Sequence, residues 1–269
     1  MTEVRPDLRY LLELRDTIGP HYGSEDLCVM LYSLVKREKP RCVVELGTGL
    51  GVTSAWIAAA MRENGFGTIV TVDNGEHFEA APPLGVRYPL PPNLQELGDL
   101  DYESLLGRIF ERAGVAANVK FVRRDIDLGD LCWLDACLGE LDEDGSPAPI
   151  DIVFSDYSHA PAMVARIVAG FLPRLAEVGS IFVDSASTHL ASYHLLEYMT
   201  AMLQRGRVPK ELLEQLGDER LRKLLAERVA GSEFRLMHLV EKVARKQNST
   251  AWLRVERASL VPALAIALH

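Results

Sequence analysis

The fold is decided by residues 43–54, which read Val-Val-Glu-Leu-Gly-Thr-Gly-Leu-Gly-Val-Thr-Ser. An apolar run ends in an acid, a loop with three glycines follows, and a small, helix-compatible run begins at Ser54. This pattern predicts a strand, a tight loop and a helix N-terminus, where backbone N–H groups can bind a nucleotide-like ligand. A dinucleotide fingerprint needs its third glycine at position 52, which is Val52. The loop therefore favours another adenosine-containing cofactor over NAD.

Composition restricts the class of protein. The 269 residues suffice for one large α/β domain or two small ones, and the hydrophobic content of 48% is ordinary for a globular protein. The net charge of -9 disfavours a general nucleic-acid binder, which needs clustered Lys and Arg. The four cysteines show no Cys-x-x-Cys spacing, which disfavours a zinc site. Because Met1–Asp7 has no apolar signal region and the apolar run 260–268 is too short to span a bilayer, we expect a cytoplasmic protein that does not bind membranes.

Strand-like and helix-like segments alternate along the chain after two helices predicted at residues 5–18 and 24–37. The five strands predicted in this alternating part are residues 42–46, 68–72, 119–122, 150–154 and 180–183. Two later strand-like runs, 234–241 and 250–255, predict an antiparallel hairpin at one edge. The predicted fold is thus α/β, a doubly wound, seven-stranded, mostly parallel Rossmann-like sheet with a C-terminal antiparallel hairpin and N-terminal helices.

The expected domain organisation is a single domain over residues 1–269. Residues 1–38 form an N-terminal helical extension in this interpretation, and residues 205–231 form a charged helical insertion. Residues 75–99 contain five prolines, which predicts an irregular loop. The loop and the insertion are either surface elaboration or a dimer contact, or a lid over the substrate, and the sequence leaves these alternatives open.

Acidic residues lie at or just after the carboxyl end of almost every predicted strand, at Glu45, Asp73, Asp125, Asp156 and Asp184. Open α/β sheets bind ligands beyond the carboxyl ends of their strands, so these acids are candidate site residues. Asp73 lies 22 positions after Gly51, close to the offset of ~20 residues at which an acid binds a ribose. A role in a turn or a helix cap is the alternative.

These motifs resemble those of class I methyltransferases that use S-adenosylmethionine (SAM), over about residues 24–257. The resemblance implies that the glycine loop and its flanking residues hold the methionine part of SAM, at Glu45, Gly47, Thr48, Gly49, Gly51 and Thr53. It also implies contacts with the ribose and then with the adenine, at Asp73, Asn74, Asp125 and Ile126.

A narrower resemblance concerns residues 154–159 and 181–185, which are similar to segments of metal-dependent O-methyltransferases of the catechol type and of the antibiotic-pathway and sugar type. It implies that His159 and Asp156 are catalytic and that Asp156 and Tyr157 flank the cofactor. Asp156 and Asp184 become candidate ligands of Mg²⁺ or another divalent cation. The chain departs from both patterns, with Ser185 in place of Asn and Val183 in place of Glu.

Taken together, the residues and the resemblance predict an enzyme, a SAM-dependent O-methyltransferase. It would act on a hydroxyl of a small molecule such as a natural-product intermediate. As in similar enzymes, we expect a homodimer or a higher homo-oligomer. His159 is either a general base or a structural hydrogen-bonding residue. Two further interpretations stay open, a nicotinamide-dependent oxidoreductase and a non-catalytic partner protein with the methyltransferase fold.

Overall fold

The computed structural model describes residues 5–18, 25–139, 149–186, 188–217, 219–240 and 249–258. Its seven-stranded sheet has the order β3-β2-β1-β4-β5-β7-β6. The strands are β1 (Cys42–Leu46), β2 (Thr68–Asp73), β3 (Val119–Arg123), β4 (Ile150–Ser155), β5 (Leu175–Asp184), β6 (Ser232–Val240) and β7 (Ser249–Arg257). Strands β1 to β5 pair in parallel, and β7 is antiparallel to both β5 and β6. The predicted fold class is confirmed.

Helices cover both faces of this sheet. In the described part of the chain they are α1 (Leu8–Ile18), α2 (Glu25–Glu38), α3 (Val52–Asn64), α4 (Glu76–Glu79), α5 (Leu84–Arg87), α6 (Tyr102–Arg112), α7 (Cys132–Gly139), α8 (Pro161–Phe171), α9 (Leu190–Leu203), α10 (Lys210–Leu213) and α11 (Glu219–Ala230). Short 3₁₀ helices are found at Pro92–Leu97, Ala116–Asn118 and Leu172–Arg174. No helix among the described residues is long and apolar enough to cross a membrane.

The alternation of side chains along the strands divides the interior into two cores. Val43 and Ile69 point to one face, where they pack with α1, α2, α3 and α6. Their neighbours Val44 and Val70 point to the other face, where they pack with α7, α8, α9 and α11. Successive strand residues face opposite sides, so a strand covered on both faces is apolar throughout. Strand β1 is accordingly buried at all five positions.

Three segments differ from their predicted form. Residues 75–99 are not irregular but contain α4, α5 and a 3₁₀ helix, because Leu84, Leu94 and Leu97 are buried in the same core as α1 and α3. The insertion predicted at 205–231 contains two helices, α10 and α11, rather than one. Strand β5 begins at Leu175, which pairs with Ile150, five residues before the predicted start. Residues 24, 241 and 260–268, which belong to predicted segments, lie outside the described residues.

Candidate active site

The glycine loop brings the ends of three strands together. The N–H of Gly47 donates to the carbonyl of Val72 at the end of β2 (2.9 Å), and the N–H of Asp156 after β4 donates to the carbonyl of Leu46 (3.0 Å). Gly47 has φ +91°, and a Cβ there would lie 2.9 Å from the carbonyl oxygen of Asp156. A side chain would therefore separate the loop from the segment after β4. This close approach explains why glycine is required at position 47.

Asp73 ties the loop to the neighbouring strand. Its Oδ2 accepts a hydrogen bond from the N–H of Gly49 (3.1 Å), and its Oδ1 accepts one from the N–H of Gly75 (2.7 Å). The hydroxyl of Tyr102 donates to the carbonyl of Gly49 from the other side (2.8 Å). Each carboxylate oxygen has about two acceptor sites, so Asp73 retains acceptor capacity for a ligand.

A cavity of about 390 Å³ opens beside the loop, at the carboxyl ends of β1 to β4. Its described lining residues are Gly47, Asp73, Asn74, Glu76, His77, Arg124, Asp125, Ile126, Asp156 and Tyr157. Seven of these ten are predicted cofactor-binding residues. Asn74 and Asp125 are joined directly, since the amide Nδ2 of Asn74 donates to Oδ1 of Asp125 (2.8 Å). We call this space the carboxylate cavity, because four of its ten lining residues are acidic.

Sequence reasoning missed three lining residues, Glu76, His77 and Arg124. The sequence marked them only by their position next to predicted site residues. Glu76 and His77 closely follow Asn74, and Arg124 precedes Asp125. The guanidinium of Arg124 lies 4.9 Å from the ring centre of Trp133, and its Nε donates to the carbonyl of Asp125 (3.2 Å).

Five predicted cofactor-binding residues, Glu45, Thr48, Gly49, Gly51 and Thr53, do not line this cavity. The Glu45 carboxylate lies beneath the loop, 1% exposed, and accepts hydrogen bonds from the hydroxyls of Ser54 and Thr71. Burial raises the pKa of Glu45 to about 7.

The other four shape the loop and the helix that follows it. The Thr48 hydroxyl is hydrogen-bonded to that of Thr71 (2.6 Å), and Gly49 holds Asp73 and Tyr102 through its backbone. Gly51 is the N-cap of α3, and Thr53 lies in its first turn. The roles predicted for these residues toward a cofactor stay predictions.

Asp156 directly follows β4, and Asp184 is the last residue of the adjacent strand β5. Burial raises the pKa of Asp156 well above its ordinary value, and the negative charge of Asp184 raises it further, as do those of Glu45 and Asp73. Burial also raises the pKa of Asp184. The like charges at this end of the sheet would be stabilised by a nearby cation.

The carboxylate of Asp184 is held from two sides. Its Oδ2 accepts a hydrogen bond from the hydroxyl of Ser185 (2.9 Å), and its Oδ1 accepts one from Thr250 on β7 (3.0 Å). Asp184 and Ser185 are both buried, and Ser185 adopts a left-handed backbone conformation with φ +59°. Few residues other than glycine adopt this conformation.

His159 lies next to the acidic pair. Its Nε2 is 3.7 Å from Oδ1 of Asp156, and its ring stacks on that of His189 with centres 4.6 Å apart. Its Nδ1 is buried. Burial lowers the pKa of His159 below 6.5, and His189 lowers it further. The imidazole is therefore neutral at pH 7 and can accept a proton.

The donor set does not fit a divalent cation in the family pattern. Within the described residues, no group of three or more His, Cys, Asp or Glu side chains is placed to hold a metal. Position 185, where the catechol type has an Asn ligand, holds a serine whose hydroxyl donates to Asp184. Two carboxylates remain, Asp156 and Asp184, which is one ligand fewer than the family pattern. We therefore derive no step through a metal ion.

Comparison with known proteins bears on this site. The model of a family described as a methyltransferase domain matches residues 44–186, which is more than half of the chain. The match includes the glycine loop, the lining of the carboxylate cavity, His159 and Asp184. No curated protein matches the sequence.

Two solved structures share the fold over almost the whole chain. The O-methyltransferase TomG from Streptomyces achromogenes, involved in tomaymycin synthesis and solved with SAM, is 18% identical, with a TM-score of 0.51 over 95% of this chain and 92% of that chain. An O-methyltransferase from Bacillus cereus, solved with S-adenosylhomocysteine (SAH), is 14% identical, with a TM-score of 0.51 over 95% of this chain and 94% of that chain. At these identities the likeness shows the fold.

Proposed function

The chain belongs to the family of methyltransferase domains, and on this premise we propose that it transfers the methyl group of SAM to a hydroxyl of a small molecule. The observation that carries the proposal is the charge of the carboxylate cavity. Four of its ten described lining residues are acidic, and Asp184, Glu45 and Asp73 raise the pKa of Asp156. SAM carries a sulfonium and an ammonium group, so it supplies the positive charge that this cavity favours.

Individual residues suit separate parts of the cofactor. We assign the ribose hydroxyls to the unused acceptor sites of Asp73, and the adenine to Asp125 and Ile126. Gly47 lets the backbone approach the methionine part, and Asp156 and Tyr157 flank the methyl end. Thr48, Gly49, Gly51 and Thr53 act through the shape of the loop and α3 in this proposal, and Glu45 acts from beneath the loop through Ser54 and Thr71.

The reaction needs alignment and one proton acceptor. Bound SAM supplies a methyl group that is already activated for transfer, and its sulfur takes the electron pair of the broken S–CH₃ bond. The protein aligns the acceptor hydroxyl and excludes water. In this proposal neutral His159 takes the hydroxyl proton as the O–CH₃ bond forms. The negative charge of Asp184, which raises the pKa of His159 against the effect of burial, stabilises the imidazolium that results.

The oxidoreductase interpretation is disfavoured. The diphosphate of NAD carries negative charge, and the carboxylate cavity has four acidic lining residues against one arginine, Arg124. The family match is also to a methyltransferase domain. Methyl transfer from SAM to an acceptor, measured as described below, would exclude the non-catalytic interpretation.

Calorimetric titration tests the cofactor assignment. We expect SAM to bind and NAD not to bind at the same concentrations. Tight binding of NAD without binding of SAM would contradict the proposal.

Transfer of tritium from methyl-labelled SAM to a panel of phenols and alcohols tests the chemistry. His159→Ala should lower kcat by ~10²–10⁴ and leave the Kd of SAM within a few-fold, because a general base acts on the chemical step. The matched control is His194→Ala, since His194 is exposed and pairs with Glu197 (2.8 Å). For the wild type, kcat should fall only below pH 6.5, since the pKa of His159 is lowered. Equal kcat values for the two variants would refute the role of His159.

The predicted single domain, homo-oligomer and cytoplasmic location stay part of the proposal. We expect a dimer through the N-terminal extension, residues 1–38. Analytical ultracentrifugation of the full chain measures this directly, and a monomer across the working concentration range would contradict it.

A further inference from the structure

The carboxyl edge of the sheet continues beyond the carboxylate cavity. That cavity lies at the ends of β3, β2, β1 and β4, and Asp184 ends the next strand, β5. Strand β7 follows in antiparallel orientation, so its first residues lie at this same edge, and Thr250 pairs in register with Asp184. Strand β6 comes last, with Leu239 paired to Thr250. Asp184 therefore stands between the carboxylate cavity and the β7–β6 end of the edge.

A second cavity, of about 340 Å³, lies at that end. Its described lining residues come from the first turns of α2, the end of β6 and the start of β7, and are Asp26, Leu27, Met30, His238, Leu239, Val240, Ser249 and Thr250. We call it the apolar cavity, because four side chains are aliphatic or thioether. None of its described lining residues is a lysine or an arginine.

Two contacts connect the walls of the apolar cavity to the candidate active site. Thr250 lines the cavity and donates its hydroxyl hydrogen bond to Asp184 (3.0 Å). On the α2 side, Cys28 follows the lining residue Leu27, and its Sγ lies 3.8 Å from Oγ1 of Thr53 in the first turn of α3. Adjacent strands are ~4.8 Å apart, so β7 lies one strand from Asp184 and two from Asp156. Asp184 thus lies between the two cavities, and Asp156 lines the carboxylate cavity.

Resting on the proposed function, we propose that the apolar cavity binds the methyl acceptor and that this acceptor is an uncharged phenol of one or two rings. The volume is at the small end of the range of ~300–1,000 Å³ for ligand pockets, which matches a compact molecule. Leu27, Met30 and Leu239 offer apolar contact to a ring. The carboxylate of Asp26 disfavours an acceptor that carries a phosphate or a carboxylate.

The acidity of the acceptor hydroxyl favours a phenol over an aliphatic alcohol. The donor set does not fit a metal that would acidify the hydroxyl. A phenol has a pKa near ~10, whereas a hydroxyl as weakly acidic as water has one near ~15.7. A histidine that acts as a general base takes the proton of a phenol far more readily than that of an aliphatic alcohol.

The test uses 2-naphthol, whose fluorescence reports binding, with the full-length protein saturated with SAH. The wild type should bind 2-naphthol, and its anionic derivative 6-hydroxynaphthalene-2-sulfonate should bind at least tenfold more weakly. Met30→Trp should weaken 2-naphthol binding at least tenfold by filling the cavity. It should leave the Kd of SAM within twofold, which also shows that the variant is folded. Leu239→Trp serves as a second variant on the opposite wall.

Val86→Trp is the matched control, since Val86 on α5 is 75% exposed and lines neither cavity. Unchanged 2-naphthol binding in both cavity variants overturns the assignment, as does competition between 2-naphthol and SAM. Preference for the sulfonate overturns the acceptor class. A separate SAM titration without 2-naphthol tests the proposed function alone. Normal SAM binding with failed 2-naphthol binding contradicts only the acceptor proposal, whereas failed SAM binding contradicts both.

Discussion

The carboxyl edge of the sheet has two regions of opposite chemistry, one on each side of β5. The carboxylate cavity has four acidic residues among its ten described lining residues. The apolar cavity, at the β7–β6 end, has four aliphatic or thioether side chains among eight. The first suits a cation and the second an uncharged ring. Neighbouring strand ends of one sheet can thus form cavities of different chemistry, because each strand end has its own loops and covering helices.

The largest expected effect concerns the close approach between the glycine loop and the segment after β4, beside the carboxylate cavity. Gly47→Ala places a Cβ 2.9 Å from the carbonyl oxygen of Asp156 and should weaken SAM binding by more than ~100-fold, which is about 2.7 kcal/mol. The control is Gly65→Ala, which has a similar φ of +84° but nothing within 4 Å of its Cβ. Calorimetric titration with SAM measures both, and 2-naphthol binding should change less than SAM binding. Equal SAM affinity in the two variants would contradict the close-approach argument.

The next effect concerns the buried charge beneath the glycine loop. The pKa of Glu45 is raised from 4.5 to about 7, so the folded protein holds a proton that the unfolded chain has released. Stability in the absence of ligand should therefore fall as the pH rises from 4.5 to 7. Glu45→Gln should remove this dependence and be more stable at pH 8 by roughly 1–3 kcal/mol, with little difference at pH 4. Urea unfolding at both pH values measures this.

Glu63→Gln is the contrasting control for this pH dependence. The pKa of Glu63 is lowered, with Tyr32 and Lys36 as its partners, so its replacement should bring no gain at pH 8. Parallel stability profiles for the wild type and Glu45→Gln would show that the Glu45 charge does not oppose folding.

A smaller effect should separate the two cavities by charge. Asp156→Asn should reduce the preference for SAM over SAH about tenfold, because SAH lacks the sulfonium charge. Binding of 2-naphthol should change less than twofold, since Asp156 does not line the apolar cavity. Asp99→Asn, an exposed acid, is the control. An unchanged SAM-to-SAH ratio would remove the charge argument for the carboxylate cavity.

The smallest effect concerns the boundary between the two regions. Ser185→Asn supplies the third ligand of the family pattern, and asparagine adopts φ values near +59° more readily than most residues. We expect Mn²⁺ affinity, measured by electron paramagnetic resonance, to rise several-fold over that of the wild type. Ser185→Ala removes the hydroxyl without adding a ligand and should show no gain. A gain in the alanine variant would mean that the Ser185 hydroxyl, rather than a missing ligand, limits metal binding.

The sequence predicted the strand–loop–helix unit and the sheet because their signals are local. The glycine spacing at 47, 49 and 51, and the acids after each strand, can be read within a few residues. It did not reveal that the Glu45 carboxylate turns beneath the loop, since that depends on Ser54 and Thr71 from two other elements. The sequence also did not predict the helices in residues 75–99, because the prolines of this segment indicated a loop. Its buried leucines pack in one core with α1 and α3, which are distant in sequence.

The α/β class, the carboxyl ends of the parallel strands and the type of glycine loop follow from local sequence, because periodicity and backbone conformation are set by neighbouring residues. Only the tertiary structure decided that Asp184 is held by Ser185 and Thr250, and that Asp26 and Thr250 line one cavity. Asp26 and Thr250 lie more than 200 positions apart, and no local pattern brings them together. The order of the strands does so, since it places β7 beside β5 and lets α2 cover the resulting edge.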